Sequence, residues 1–276
     1  MTRKSFNFML IDAHTHAFAD KIAEKAVLQL IDYYSIPTTH GGTISDLMHQ
    51  AQLARLDAMV MLVAATKAEQ VKPANDWMLS RPWEAFENHP IIIPFGSYHV
   101  DDENWQNEIN RLGEAGIKGI KIHPEFQQID LADPRLLPFC EEIQGKFILM
   151  VHVGDPVVTA DNYSTPAKVA RLLDLFPNLT IIAAHLGGYC FWDEAHDLLA
   201  GKNLFLDTSS AAQYIDPELM KNIVRRHGVE NILCGSDYPL TSPIEAINSI
   251  MEISWLSDEE KSMITGENAA RLFGIL

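Results

Sequence analysis

The sequence predicts a closed (β/α)8 barrel, a TIM barrel, running as one domain over residues 1–276 with capping helices at its C-terminal end. Three observations predict it. Short apolar runs alternate with amphipathic stretches along the whole chain, the order that builds a parallel sheet covered by helices. Joints leading into strands are short and carry glycines suited to a left-handed helix stop, namely Gly116, Gly145, Gly201 and Gly228. Joints leading out of strands, such as 154–165, 207–216 and 238–242, are longer and chemically richer, and in a barrel these gather at the face where active sites are built. The doubly wound alternative lacks its Gly-rich turn after the first strand, and no repeat, low-complexity tract or linker divides the chain.

The first strand is expected at 9–13, followed by a helix behind an Asp20 cap, in which Ile22, Ala26, Leu30 and Tyr34 recur at helical spacing. A loop at 35–42, punctuated by Pro37 and Gly41-Gly42, leads to a second helix capped by Thr43 and carrying Ile44, Leu47, Met48, Ala51 and Ala54. The run 58–63 is apolar throughout, as suits a strand buried on both faces. The alternation then gives helix 73–88, strand 91–98, helix 104–115, strand 117–123, helix 134–143 and strand 147–152. Helix 166–176, strand 179–185, a shorter helix 192–199, strand 204–207, helix 217–227 and strand 231–234 bring the strand count to eight. Helices 243–252 and 258–273 complete and cap the ring.

Composition bounds the function. With 21 Lys and Arg against 37 Asp and Glu the formal charge is −16, which excludes nucleic acid and an anionic membrane surface as partners and leaves a small-molecule substrate. Cys140, Cys190 and Cys234 are odd in number and far apart, so neither a disulfide framework nor a thiolate metal site is expected. Reduced thiols, no membrane span and an apolar N-terminal stretch too short for a signal peptide after Arg3 and Lys4 point to a cytoplasmic protein, with homo-oligomerisation open.

The chemistry gathers at strand ends. In Asp12-Ala13-His14-Thr15-His16 the alternation of an extended segment aims Asp12, His14 and His16 at one face, and two imidazoles one residue apart can grip one ion. A lone His-x-His equally suits a polar strand exit. His99, His123, His152, His185 and Asp237, however, close five further strands, and that joint occurrence calls for a metal. Imidazole and carboxylate without thiolate suit one zinc ion, with manganese or iron as alternatives. Such an ion lowers the pKa of bound water toward about 7, and Asp237 is placed to relay a proton.

Asp12-Ala13-His14-Thr15-His16, Gly119-Ile120-Lys121-Ile122-His123-Pro124, His152, His185-Leu186-Gly187-Gly188, Gly235-Ser236-Asp237-Tyr238-Pro239 and Asn268-Ala269-Ala270-Arg271-Leu272-Phe273-Gly274, in this order, resemble the amidohydrolase superfamily. More narrowly, they resemble its branch containing aminocarboxymuconate-semialdehyde decarboxylase and related metal-dependent hydrolases. The resemblance implies metal ligands His14, His16, His152 and Asp237, with His185 off the metal as acid/base or carbonyl polariser. It also leaves open a second ion bridged by a carboxylated Lys121, as in binuclear relatives such as dihydroorotase.

Other side chains carry two readings each. His123 touches substrate or bonds a neighbouring loop; Trp192 walls the pocket or packs; His99 contacts substrate or caps a loop; His40 closes over the site or is solvated. Asp207, Thr208 and Ser209 fit a network under the site, and Asp12 orients a ligand. His49, His89, His196 and His227 are expected at the surface. The leading expectation is a metal-dependent hydrolase acting on an amide, lactone or ester, with Asp237 and His185 carrying protons. A non-oxidative decarboxylase with the same ligands and a metal-binding barrel without turnover are the alternatives.

Overall fold

A computed structural model describes residues 8–159 and 161–275. Eight parallel strands, β1 (Ile11–His16), β2 (Ala58–Leu62), β3 (Ile91–Ser97), β4 (Gly119–Ile122), β5 (Ile148–Val151), β6 (Thr180–Ala183), β7 (Phe205–Asp207) and β8 (Ile232–Leu233), pair in sequence order. The ring returns to β1 through Ala13 N–H to Cys234 O at 2.8 Å, Asp237 N–H to His14 O at 2.8 Å and His16 N–H to Tyr238 O at 2.9 Å. Period-two alternation splits each strand between lumen and helices. Val60, Phe95, Met150, Ile182 and Leu233 fill the lumen. Met59, Ile120, Leu149, Ile181 and Leu206 face the helix layer. Arg3 and Lys4 lie outside the described residues.

The expected face of Asp12 is overturned. Asp12 pairs with Met59 but Thr15 with Met61, so β1 holds one residue more than its partner across this step. That bulge reverses the alternation: Asp12 shares the outward face of Met59 and Met61, while His16 shares the inward face of Leu62.

The helices are α1 (Asp20–Tyr34), α2 (Ile44–Ala54), α3 (Ala68–Leu79), α4 (Trp105–Glu114), α5 (Pro124–Gln127), α6 (Leu137–Ile143), α7 (Pro166–Leu175), α8 (Trp192–Leu198), α9 (Pro217–His227), α10 (Pro243–Met251), α11 (Asp258–Ser262) and α12 (Asn268–Phe273). All four predicted helix-stop glycines have positive φ. Asp20 is the first helical residue rather than the cap, and Ile22 is exposed. Pro73 lies inside α3, which starts five residues earlier than its proline suggests and loses one backbone hydrogen bond there. The expected final helix is broken by a wide turn at Met263–Glu267, where Gly266 packs against the Met9 backbone with no room for a Cβ. α12 then plugs the N-terminal end of the barrel: Ala269, Ala270 and Phe273 are buried against the lumen residues, and the Phe273 ring meets Phe95 edge-on at 6.1 Å. No described helix is long and apolar enough to cross a membrane.

Candidate metal centre

Two ends of the chain build the floor of the site. Asp12 Oδ1 accepts from His14 N–H and from Ser236 N–H, each at 3.0 Å, tying β1 to the segment after β8. Asp12 thus holds the backbone of a candidate ligand and never touches its ring. Asp237 sits in the left-handed region at φ 58, a costly conformation for a residue with a Cβ, held by its N–H bond to His14 O. Ser210, also left-handed, donates its hydroxyl to Asp237 Oδ2 at 2.7 Å and so leaves Oδ1 free to face the histidines.

The free atoms converge. His14 Nε2 lies 3.2 Å from His16 Nε2 and 3.3 Å from Asp237 Oδ1, and His16 Nε2 lies 3.7 Å from the same oxygen. On the other side of its ring, His14 Nδ1 lies 2.9 Å from Asp207 Oδ2. Burial opposes charge on Asp207, but the imidazoles of His14 and His185 and its hydrogen bonds outweigh it and hold its pKa at about 2. An ionised carboxylate only accepts, so His14 Nδ1 carries the proton and Nε2 presents a lone pair. Burial likewise opposes charge on Asp237, and His14, His185 and His16 hold it well below the usual carboxylate range. His16 is driven well toward its neutral form, chiefly by burial. His14 Nε2, His16 Nε2 and Asp237 Oδ1 thus lie within 4 Å of one another, two imidazole nitrogens and one carboxylate oxygen aimed at a common point, so this donor set fits a divalent ion.

His152 and His185 form a second facing pair. His185 Nδ1 lies 2.8 Å from Ser209 O, and His152 Nε2 lies 3.0 Å from Gly154 O; carbonyls only accept, so each ring spends a proton there. His152 Nδ1 and His185 Nε2 then face each other at 2.9 Å as lone pairs in the neutral rings, and burial lowers the pKa of both. The cluster His14, His185 and Asp207 is different in kind. Its atoms are satisfied internally, with Ser209 Oγ at 3.0 Å from both His14 Nδ1 and His185 Nδ1 and bonded to Asp207 Oδ1. This is the expected network under the site.

Above the floor lies a cavity of ≈ 110 Å³ lined by His14, His16, His123, His152 and Asp237 together with Phe18, Leu30, Tyr34, Phe126 and Leu240. His185 and Lys121 are not among its lining residues. Lys121 is fully buried, its Nζ 3.4 Å from His14 Nε2, and burial lowers its pKa to about 8 against the pull of Asp237 and Asp207. His123 lines the cavity, and its Nδ1 accepts from Phe126 N–H at the start of α5. His99 accepts from Asp101 N–H in its own loop, His40 lies against Tyr238, and Trp192 donates its indole N–H to His185 O at 3.0 Å. His227 is a correction: it is buried, with Nε2 3.0 Å from Leu204 O and Nδ1 accepting from Gly201 N–H, because the last turn of α9 packs under the joint into β7.

The sequence reading missed Tyr34, Phe18, Leu30 and Leu240. A signal existed for α1: two helices separate β1 from β2 where one suffices to cross over, and the spare one lies across the mouth.

A family model described as amidohydrolase matches residues 11–275. No curated protein matches the chain significantly. Similar solved structures include 5-carboxyvanillate decarboxylase from Sphingomonas paucimobilis, at 18% identity and TM-score 0.73, covering 97% of this chain and 99% of that one. Dihydroxybenzoic acid decarboxylase from Polaromonas sp. JS666, solved with manganese and 2-nitroresorcinol, is 16% identical with TM-score 0.72 and 97% of both chains covered. A putative 2-pyrone-4,6-dicarboxylic acid hydrolase from Pseudomonas putida is 16% identical with TM-score 0.67 and 98% of both chains covered. At these identities the likeness is one of fold.

Proposed function

Because the chain belongs to the amidohydrolase family, we propose that it is a divalent-metal-dependent, non-oxidative decarboxylase of a small carboxylic acid, with His14, His16, His152 and Asp237 as ligands. Hydrolysis, the leading expectation from sequence, becomes the second reading. The observation that carries the choice is the cavity: it is small, its metal end is polar, and the rest is mainly apolar, with Phe18, Leu30, Phe126 and Leu240 beside the uncharged Gln29, Tyr34 and Thr66. Such a wall suits loss of CO2, which consumes no water. Decarboxylases among the similar folds support the same reading. The hydrolase named beside them keeps the alternative in the test.

A bound divalent ion, zinc or manganese, would supply Lewis-acid polarisation of substrate oxygens. The remaining work falls to side chains. The reaction replaces a C–C bond by a C–H bond: a carboxylate plus one proton gives the protonated carbon and CO2. Asp237 lines the cavity with one oxygen held by Ser210, so it is the group placed to pass a proton from an acidic substrate oxygen to that carbon. His185 lies beneath and acts through His152, whose Nδ1 it faces. Lys121 sets positive charge under His14. One ion is favoured over two, since His14, His185 and Asp207 are satisfied by their own hydrogen bonds and the facing pair of His152 and His185 offers only two donors.

The test is a substrate panel on protein loaded with manganese or zinc, following CO2 from hydroxybenzoic and related small acids alongside acid or amine release from lactones, esters and amides. CO2 release equal to product formed is expected. Hydrolytic turnover instead would establish the second reading, and silence in both panels at full metal loading would make the chain a metal-binding barrel. Replacing His185→Asn should abolish turnover at unchanged metal content; a drop from two ions to one would reinstate the carboxylated Lys121 bridge.

A further inference from the structure

The direction of the hydrogen-bond chain that ends at Tyr34 is fixed by its far end. Phe126 N–H donates to His123 Nδ1 at 3.3 Å, and a ring nitrogen that accepts carries no proton, so the proton of His123 is on Nε2. That nitrogen lies 3.1 Å from the Tyr34 hydroxyl oxygen and donates to it. The His123 ring is clamped between Phe126, with centroids 4.1 Å apart and planes 5° apart, and His152, at 3.8 Å and 12°, so it does not turn over to reverse the chain. The other nitrogen near Tyr34, His152 Nε2 at 3.5 Å, already donates to Gly154 O. Among the described residues no acceptor remains for the Tyr34 proton, and Tyr34 lines the cavity.

We propose that Tyr34, oriented by His123, donates this proton to an uncharged oxygen of the substrate and selects for it. The wall narrows the class further. No Lys or Arg side chain is among the described residues lining the cavity, so a second carboxylate would be stripped of water without a counter-charge. A hydroxyl, methoxy or ring carbonyl oxygen is served by one phenolic donor. The volume, ≈ 110 Å³, is below the about 150 Å³ that encloses one benzene, so a single ring is the upper bound and part of the ligand stands in the mouth of the cavity. The ligand is a single-ring monocarboxylic acid bearing one neutral oxygen substituent within reach of Tyr34. The carboxylate end rests on the decarboxylase reading; the Tyr34 contact does not.

Two measurements test this. In zinc-loaded protein with 15N-labelled histidine, NMR should find His123 protonated at Nε2. A His123 protonated at Nδ1 means that Tyr34 spends its proton on the ring, which overturns the proposal. Calorimetry on the manganese-loaded chain, with benzoate and its monohydroxy and monomethoxy derivatives as probes, should show an oxygenated benzoate binding more tightly than benzoate. Tyr34→Phe should remove that preference, roughly a tenfold loss on the scale of one hydrogen bond, and leave benzoate unchanged. His123→Gln, whose amide N–H can stand in for Nε2–H, should retain the preference, and His123→Leu should lose it. Equal weakening of all probes by Tyr34→Phe, no change, or no binding of any benzoate to the unaltered protein would each overturn it. Absence of CO2 release with the preference intact would instead remove only the decarboxylase reading.

Discussion

Asp207 decides which nitrogen of His14 is free. Its Oδ2 accepts from His14 Nδ1–H, and its Oδ1 accepts from Ser209 N–H at 3.0 Å and His185 N–H at 3.1 Å, so one carboxylate fixes two histidines from different strands of the barrel. Asp207→Asn substitutes a group that can donate where only an acceptor belongs, and His14 is then free to adopt the other tautomer. Metal affinity should fall about 10–100-fold, the usual cost of losing such an outer partner, while His14→Ala should lose most of the metal; titration of the metal-free variants with zinc or manganese measures both. Unchanged affinity in Asp207→Asn would mean that His14 is not a ligand through Nε2.

At the scale of elements, the segment after β5 and the segment after β6 meet at Gly154, which bridges Tyr189 in parallel fashion and has φ +93. A Cβ there would run into the Tyr189 backbone, and the glycine carbonyl is also what holds His152 Nε2. Gly154→Ala should destabilise the fold by about 1–3 kcal/mol, as overpacking does, and weaken metal binding as well, seen as a lower denaturation midpoint and a weaker metal titration. Loss of stability with normal metal affinity would sever His152 from the site. α1 belongs to the same scale: its Tyr34 and Leu30 contribute to the cavity although no strand carries them.

Across the whole molecule the two ends of the barrel do different work. The plug of α12 is remote from the ligands, so Phe273→Ala should cost about 3–5 kcal/mol in chemical denaturation while leaving metal content and kcat per folded molecule unchanged; a loss of kcat at full folding would contradict that separation. pH acts on the whole in one direction. His16, His123, His152, His185 and His227 all have pKa values lowered chiefly by burial, from an ordinary 6.5. Below that value the unfolded chain binds protons that the folded chain refuses, so their contribution is fully present above about 6.5 and is lost as pH falls toward the folded values. The denaturation midpoint of metal-free protein should therefore fall between about pH 7 and pH 5, and His227→Gln should flatten that slope without changing metal content.

The sequence alone determined the barrel and the order of its strands, and it singled out His14, His16, His152, His185 and Asp237 as candidates, because strand period, helix stops and motif order are local properties of the chain; the structure brings His14, His16 and Asp237 together and sets His152 against His185. It could not place Asp12, whose face depends on one extra residue in β1 against β2, a matter of pairing rather than of pattern. Nor could it place Tyr34 or His227. An apolar helical stripe and a histidine at a helix end look the same in sequence whether they meet a cavity, a core or water, and only the packing of α1 over the mouth and of α9 beneath β7 decided which. Which nitrogen of each histidine is free was likewise decided in three dimensions, by carbonyls and a carboxylate brought from distant strands.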